Sequence, residues 1–385
     1  KVFLILLGAL FIISTLTNWL LPARTSEPER LQPLDKARAE EVLQLRRTFG
    51  DTLWPGFGTA NIPLLLYNES YVFLIGYDGL PPTGWRKVPQ EIQFGGSWEQ
   101  IGGATIDGRA VFRQPLPPNR TPEAFTVRVG DRWAASMTLR EWTVIRMGNE
   151  LRDALPGLLR LFVPYRLISL GMGTLFGTEW FISAVEHESF HAFQGLTTPG
   201  RLARAERLFA EAGGRYPWED PGMTSLWKAE MKLLTDALTA EDQRETVTLV
   251  RRSLEQRDER RRTIGLDSMI VQLEQEREWE EGLAKYVELA LWKVAANAAD
   301  YQPVLALKDD AAFDQYKDFE GQWKRELSTM KFQGGSGESR FYYSGMAQAF
   351  LLDRLWPEWS RQSDWEEARL EEILRKAVTD SSTGK

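Results

Sequence analysis

Only two histidines occur in the 385 residues, and both lie in one pentapeptide, His187-Glu188-Ser189-Phe190-His191. Residues 184–193 contain no Pro or Gly, so the stretch can stay helical, and residues four apart then share one helix face. Two imidazoles one turn apart can grip a single metal ion. Glu188, beside the first of them, can act as general base on a water at that ion. The competing reading is a chance helical pentapeptide with two satisfied core histidines.

A catalytic zinc site needs three protein ligands and one open position. Cysteine is absent and no third histidine exists, so the third ligand must be Asp or Glu. Two acids compete. Glu281 lies in Trp279-Glu280-Glu281-Gly282-Leu283-Ala284-Lys285-Tyr286-Val287-Glu288, where Glu281, Lys285 and Glu288 share a helix face. Glu211 lies in Ala210-Glu211-Ala212-Gly213-Gly214, a helix end.

The helical half of the chain resembles the gluzincin metallopeptidases, above all the aminopeptidase-N and leukotriene-hydrolase branch. Their third ligand sits in a W-x-x-E-G-x-x-x-Y-x-E-like helix. The resemblance puts Glu281 on the ligand, Gly282 on the following glycine, and Tyr286 and Glu288 on the later Tyr and Glu; Trp279 stands one position too close. It implies that Glu288 accepts from a ligand histidine and so orients the ring. Phe341-Tyr342-Tyr343-Ser344-Gly345-Met346-Ala347 is similar to the family's Y-x-x-G-x-A helix start, whose Tyr donates to the oxyanion. That selects Tyr342, with Tyr343 as the alternative. The chain also departs from the pattern. Glu281 follows His191 by 281 − 191 = 90 residues, so a helical insertion over about 203–278 is expected, whereas Glu211 follows by 211 − 191 = 20, the family's usual distance. The Gly-x-Met-Glu-Asn segment that holds a substrate's free amine is missing.

Around these motifs the rest of the chain must build a scaffold. The length allows a real core and more than one domain. A net charge of −7 without a basic face excludes a nucleic-acid footprint. Residues 1–23 open with an uncharged apolar run to Pro22, read as a retained transmembrane anchor with the bulk on the extracytoplasmic (periplasmic) side. A tether and a short helix (24–50) follow, then a β-rich domain (51–147). In the latter, strands are expected at 62–67, 71–77, 104–113 and 124–139, between Asp-Gly and Pro-Asn turns. Residues 148–385 read as helical. The apolar stretch 161–177 is interrupted by Pro164 and Arg166 and is expected in the core, with a dip into the bilayer surface as the other option. The charged run 255–262 reads as a solvated face. Gly334-Gly335-Ser336-Gly337 reads as a linker or lid hinge. The triplets at Asn68 and Asn119 fit the glycosylation pattern but carry little weight.

The expected fold is therefore α+β, mainly α: an N-terminal transmembrane helix, a small antiparallel β domain and a larger gluzincin-like helical domain. The expected function is a membrane-anchored, Zn²⁺-dependent peptidase acting on a peptide or protein. Two rivals stand beside it: a non-catalytic metallopeptidase-like subunit of a larger membrane complex, and an apolar-ligand hydrolase using the same residues.

Overall fold

Runs of Leu, Val, Ile and aromatic residues between residues 64 and 138 form an eight-stranded sheet in the computed structural model, which describes residues 2–88, 91–117, 121–122, 127–334, 336–361 and 364–383. Residues 124–126 of an expected strand, Asn119 and Gly335 fall outside these. The strands are β1 (Leu64–Tyr67), β2 (Tyr71–Ile75), β3 (Trp85–Lys87), β4 (Ile92–Phe94), β5 (Glu99–Ile106), β6 (Arg109–Pro115), β7 (Val127–Val129) and β8 (Arg132–Thr138), ordered β4-β3-β7-β8-β1-β2-β6-β5. The pairing is not wholly antiparallel as expected. β8 returns alongside β1 in parallel, Leu64 opposite Ala135, while every other pair is antiparallel. Central strands β1 and β2 are buried along both faces, which is why they read as unbroken apolar runs rather than alternating ones. Leu65, Tyr67, Val72, Leu74, Trp85 and Phe112 form the core of one face. Asn68 is buried at the β1–β2 turn, where its side-chain oxygen accepts from the backbone of Ser70 and Tyr71. It is a turn-former rather than a glycan acceptor.

The helices are α1 (Val2–Leu20), α2 (Pro33–Leu53), α3 (Arg140–Ala154), α4 (Tyr165–Leu175), α5 (Thr178–Thr197), α6 (Pro199–Ala212), α7 (Pro221–Thr239), α8 (Gln243–Ile264), α9 (Ser268–Arg277), α10 (Leu283–Asn297), α11 (Phe319–Gln333), α12 (Ser339–Leu355) and α13 (Leu370–Thr383). The chain divides into two compact units: Lys1–Gln44 with Asn61–Ser189 and Tyr301–Gln315, and Leu45–Ala60 with Phe190–Asp300 and Tyr316–Lys385.

In the first unit, the expected transmembrane anchor is corrected. Among the described residues no helix is long and apolar enough to cross a membrane, so neither a single-pass N-terminal anchor nor the placement built on it stands. The physical reason lies in the second half of α1. Ser14, Thr15, Thr17 and Asn18 make it polar, and it is tied to protein. The Asn18 side chain donates to the Val163 carbonyl and accepts from the Arg166 N–H, while Arg166 Nη1 donates to the carbonyls of Asn18 and Leu21. The stretch 161–177 is not a core segment either: Leu167, Ile168, Leu170 and Met172 of α4 are exposed. Its inner face meets α3 closely, since a Cβ on Gly173 would lie 2.4 Å from a Val144 methyl.

In the second unit, α6 to α9 fill the expected insertion. Asp242 caps α8 by accepting from the Glu245 N–H, and Gly265, at φ +72°, ends it in the left-handed conformation that glycine adopts without strain. The charged run inside α8 is only half solvated. Glu255, Glu259 and Arg262 face water, but Arg257 and Arg260 are buried. Arg257 donates to Glu230, Glu278 and Glu371, and Arg260 to Glu230 and Glu274. The solvated-face expectation fails because residues three apart on α8 meet acids from four neighbouring elements.

Candidate metal centre

Helix α5 carries both histidines, four residues apart and buried, at 7% and 4% exposure. Glu179 in its first turn complements the helix dipole. Glu281 arrives from a different stretch. Asp267 caps α9, which runs through a π-helical turn at Glu278–Gly282 directly into α10. Such wide turns recur at functional sites because they re-aim side chains within an otherwise regular helix. This one buries Glu278, Glu280 and Glu281 together.

The donor atoms of His187, His191 and Glu281 all lie within 4.8 Å of one another. His191 Nε2 stands 3.4 Å from Glu281 Oε2. Tetrahedral zinc, with bonds of about 2.0–2.2 Å, would place neighbouring donors about 3.4 Å apart. The buried His187-His191-Glu281 group could therefore hold a metal ion, and its two nitrogens and one carboxylate suit an ion of borderline hardness.

Gln194 fixes the chemistry of His191. Its amide N–H₂ donates to the carbonyls of Trp279 and Glu280 at 2.8 and 3.3 Å, partners that can only accept. Its Oε1, 3.0 Å from His191 Nδ1, must then be the acceptor, so the proton sits on Nδ1. In the neutral ring the lone pair is then on Nε2, the nitrogen facing Glu281. Gln194 thus favours the tautomer that could ligate through Nε2 and ties α5 to the π-turn in one side chain. A cavity of about 740 Å³ lies behind Gln194, walled by Trp54, Phe190, Phe193, Trp279 and Trp365; its described lining includes none of the three donor residues.

The motif glycines have a packing role. A Cβ on Gly282 would lie 2.4 Å from the Gly345 Cα, and one on Gly345 would lie 2.4 Å from the Glu278 carbonyl oxygen. Helix α12 and the π-turn therefore touch backbone to backbone, which sets the register of Tyr342 and Tyr343 against Glu281. Tyr343 is buried and donates to Glu326, and burial together with that carboxylate raises its pKa above the ordinary phenol value. Tyr342 is half-buried and close enough to the Arg277 guanidinium to interact with its charge. Arg277 in turn donates to Glu281.

Glu188 is half-buried beside His187 on α5. Glu288 is buried and accepts from Lys285, whose ammonium also reaches Glu326. Burial alone would lower the Lys285 pKa, but the two carboxylates outweigh it and raise it. Glu211 is exposed near the end of α6 and lies outside the donor group. Sequence reasoning missed Gln194 and Arg277. Each had a positional signal, three residues after His191 and four before Glu281, the helix spacings at which neighbours meet. Compared with known proteins, the chain matches no family model, no curated protein and no solved structure.

Proposed function

We propose that this chain is a zinc-dependent peptidase of gluzincin-like design. The observation that carries the reading is the buried group of two imidazoles and one carboxylate, with His191 and Glu281 donors 3.4 Å apart and the His191 tautomer fixed by Gln194. His187, His191 and Glu281 would hold the ion. When bound, a divalent cation would supply Lewis acidity, making a water acidic enough to lose a proton near neutral pH and polarising a carbonyl.

Glu188 follows the first ligand on the same helix and would take that proton, then deliver it to the leaving amine. Its place next to His187 on α5 supports the role, and one of its carboxylate oxygens, Oε2, is shielded from bulk water. Tyr342 would donate its hydroxyl hydrogen to the carbonyl oxygen as charge builds there. Tyr343 is the weaker candidate because its hydroxyl is committed to Glu326.

Glu188→Gln tests the assignment. The variant should retain bound metal at the parent's stoichiometry while its hydrolysis of an unstructured protein substrate falls by about 10²-fold or more. Chelation should silence the parent, and zinc should restore it. Full hydrolysis by Glu188→Gln, or none by the metal-loaded parent, would overturn the reading.

A further inference from the structure

The guanidinium of Arg277 lies four residues before Glu281, almost wholly buried. Its Nη2 donates to Glu281 Oε1 at 2.7 Å, and its Nη1 to Glu280 Oε2 at 2.8 Å. Nη2 also reaches Glu338 Oε2 at 3.1 Å, and the cation lies 4.6 Å from the centre of the Phe209 ring. Glu281's other oxygen, Oε2, is the one that faces His191 Nε2. The two oxygens of one carboxylate are thus divided between two partners.

We propose that Arg277 is a positioning residue that reserves Glu281 Oε1, so that Glu281 offers a cation one oxygen only. The proposal rests on the metal reading above. Its chemistry follows from coordination number. A carboxylate that binds through both oxygens fills two positions and closes a site that must keep one open. Holding Oε1 on a guanidinium leaves that position free. It also draws charge from the carboxylate, making it a weaker donor and leaving the cation a stronger Lewis acid.

Arginine suits the task better than lysine. Its planar, permanently charged fork can serve two adjacent carboxylates through separate nitrogens, as it does with Glu280 and Glu281. The π-turn contributes too, because it packs both acids into the same buried turn.

Cobalt(II) is the probe, because four-coordinate cobalt absorbs visible light far more strongly than five- or six-coordinate cobalt. The cobalt-loaded full chain should show the intense four-coordinate band. At equal cobalt occupancy, Arg277→Met should show a band several-fold weaker as Oε1 joins the coordination, and Arg277→Lys should recover most of the parent intensity. Arg277→Met leaves two buried carboxylates without their cation, so Arg277→Met/Glu280→Gln, which removes one charge of each sign, serves as the second variant. An unchanged spectrum in either Met variant overturns the proposal while leaving the metal site intact. A weak, high-coordination band in the parent also overturns it, without any variant having to fold. Failure of the parent to bind cobalt in equilibrium dialysis would overturn the metal reading and this proposal with it.

Discussion

The Gly282–Gly345 crossing can be probed by a single methyl group, and the sign of the outcome decides the argument. Gly345 lies within α12, so helix propensity alone predicts that Gly345→Ala stabilises the protein by about 1 kcal/mol. The structure predicts the reverse. The new Cβ would lie 2.4 Å from the Glu278 carbonyl oxygen and 2.7 Å from the Gly282 Cα, whereas ordinary contact begins at 3.4 Å. The shortfall is 3.4 − 2.4 = 1.0 Å, and both obstacles are backbone, so α12 and the π-turn must separate by about that much. Overpacking of this kind costs about 1–3 kcal/mol, leaving a net loss of about 1 kcal/mol after the propensity gain. Glu278 and Glu281 move with the turn. A displacement near 1 Å at a ligand should weaken metal binding by about 10-fold or more. Urea unfolding of parent and variant, with zinc titration against a chromophoric chelator, reads both quantities. A variant more stable than its parent, with unchanged zinc affinity, would refute the reasoning.

Two further outcomes are expected beside those for Glu188 and Arg277. Glu281→Ala should lose metal on dialysis and Glu211→Ala should keep it, as metal analysis per chain will show; the opposite pattern would transfer the ligand role to Glu211. Glu274 has a pKa lowered to about 2: burial alone would raise it, but Arg260 and Arg261 outweigh burial. A folded-state pKa below the unfolded value means that this stability is complete above about pH 4.5 and is lost as pH falls towards 2, about 3 kcal/mol in all. Urea midpoints measured from about pH 6 down to about pH 2.5 should fall more steeply for the parent than for Glu274→Gln, and equal slopes would refute the assignment.

What could be read in the sequence was whatever depends on spacing within one helix. The pair His187 and His191 follows from the four-residue repeat, and scarcity made it conspicuous, since no other histidine competes. Bringing Glu281 beside them spans 90 residues, a distance over which periodicity carries no information. There the resemblance of the acid's surroundings, Glu281-Gly282 followed by Tyr286 and Glu288, singled it out, and the geometry gives the glycine a cause: it is where a second helix touches. Gln194 and Arg277 stayed hidden for a different reason. Spacing placed each beside a motif residue, but which ring nitrogen, backbone carbonyl or carboxylate oxygen it would bond is not written in residue type.

The failed expectations share a cause: each treated a property of one segment as if it fixed that segment's surroundings. An apolar run at the N-terminus suggested lipid, yet Asn18 and Arg166 lock its second half to Val163 and the first turn of α4. The run 255–262 suggested water, yet Arg257 and Arg260 sit at the convergence of α7, α9, the π-turn and α13. Removing one partner from such a buried network costs about 3–5 kcal/mol, far more than a solvated pair would. Arg257 bonds both oxygens of Glu278, the first residue of the turn that carries Glu281. The long insertion between the histidines and the glutamate therefore does more than occupy sequence: its Arg257 and Arg277 supply the guanidinium partners of Glu278, Glu280 and Glu281 in the π-turn.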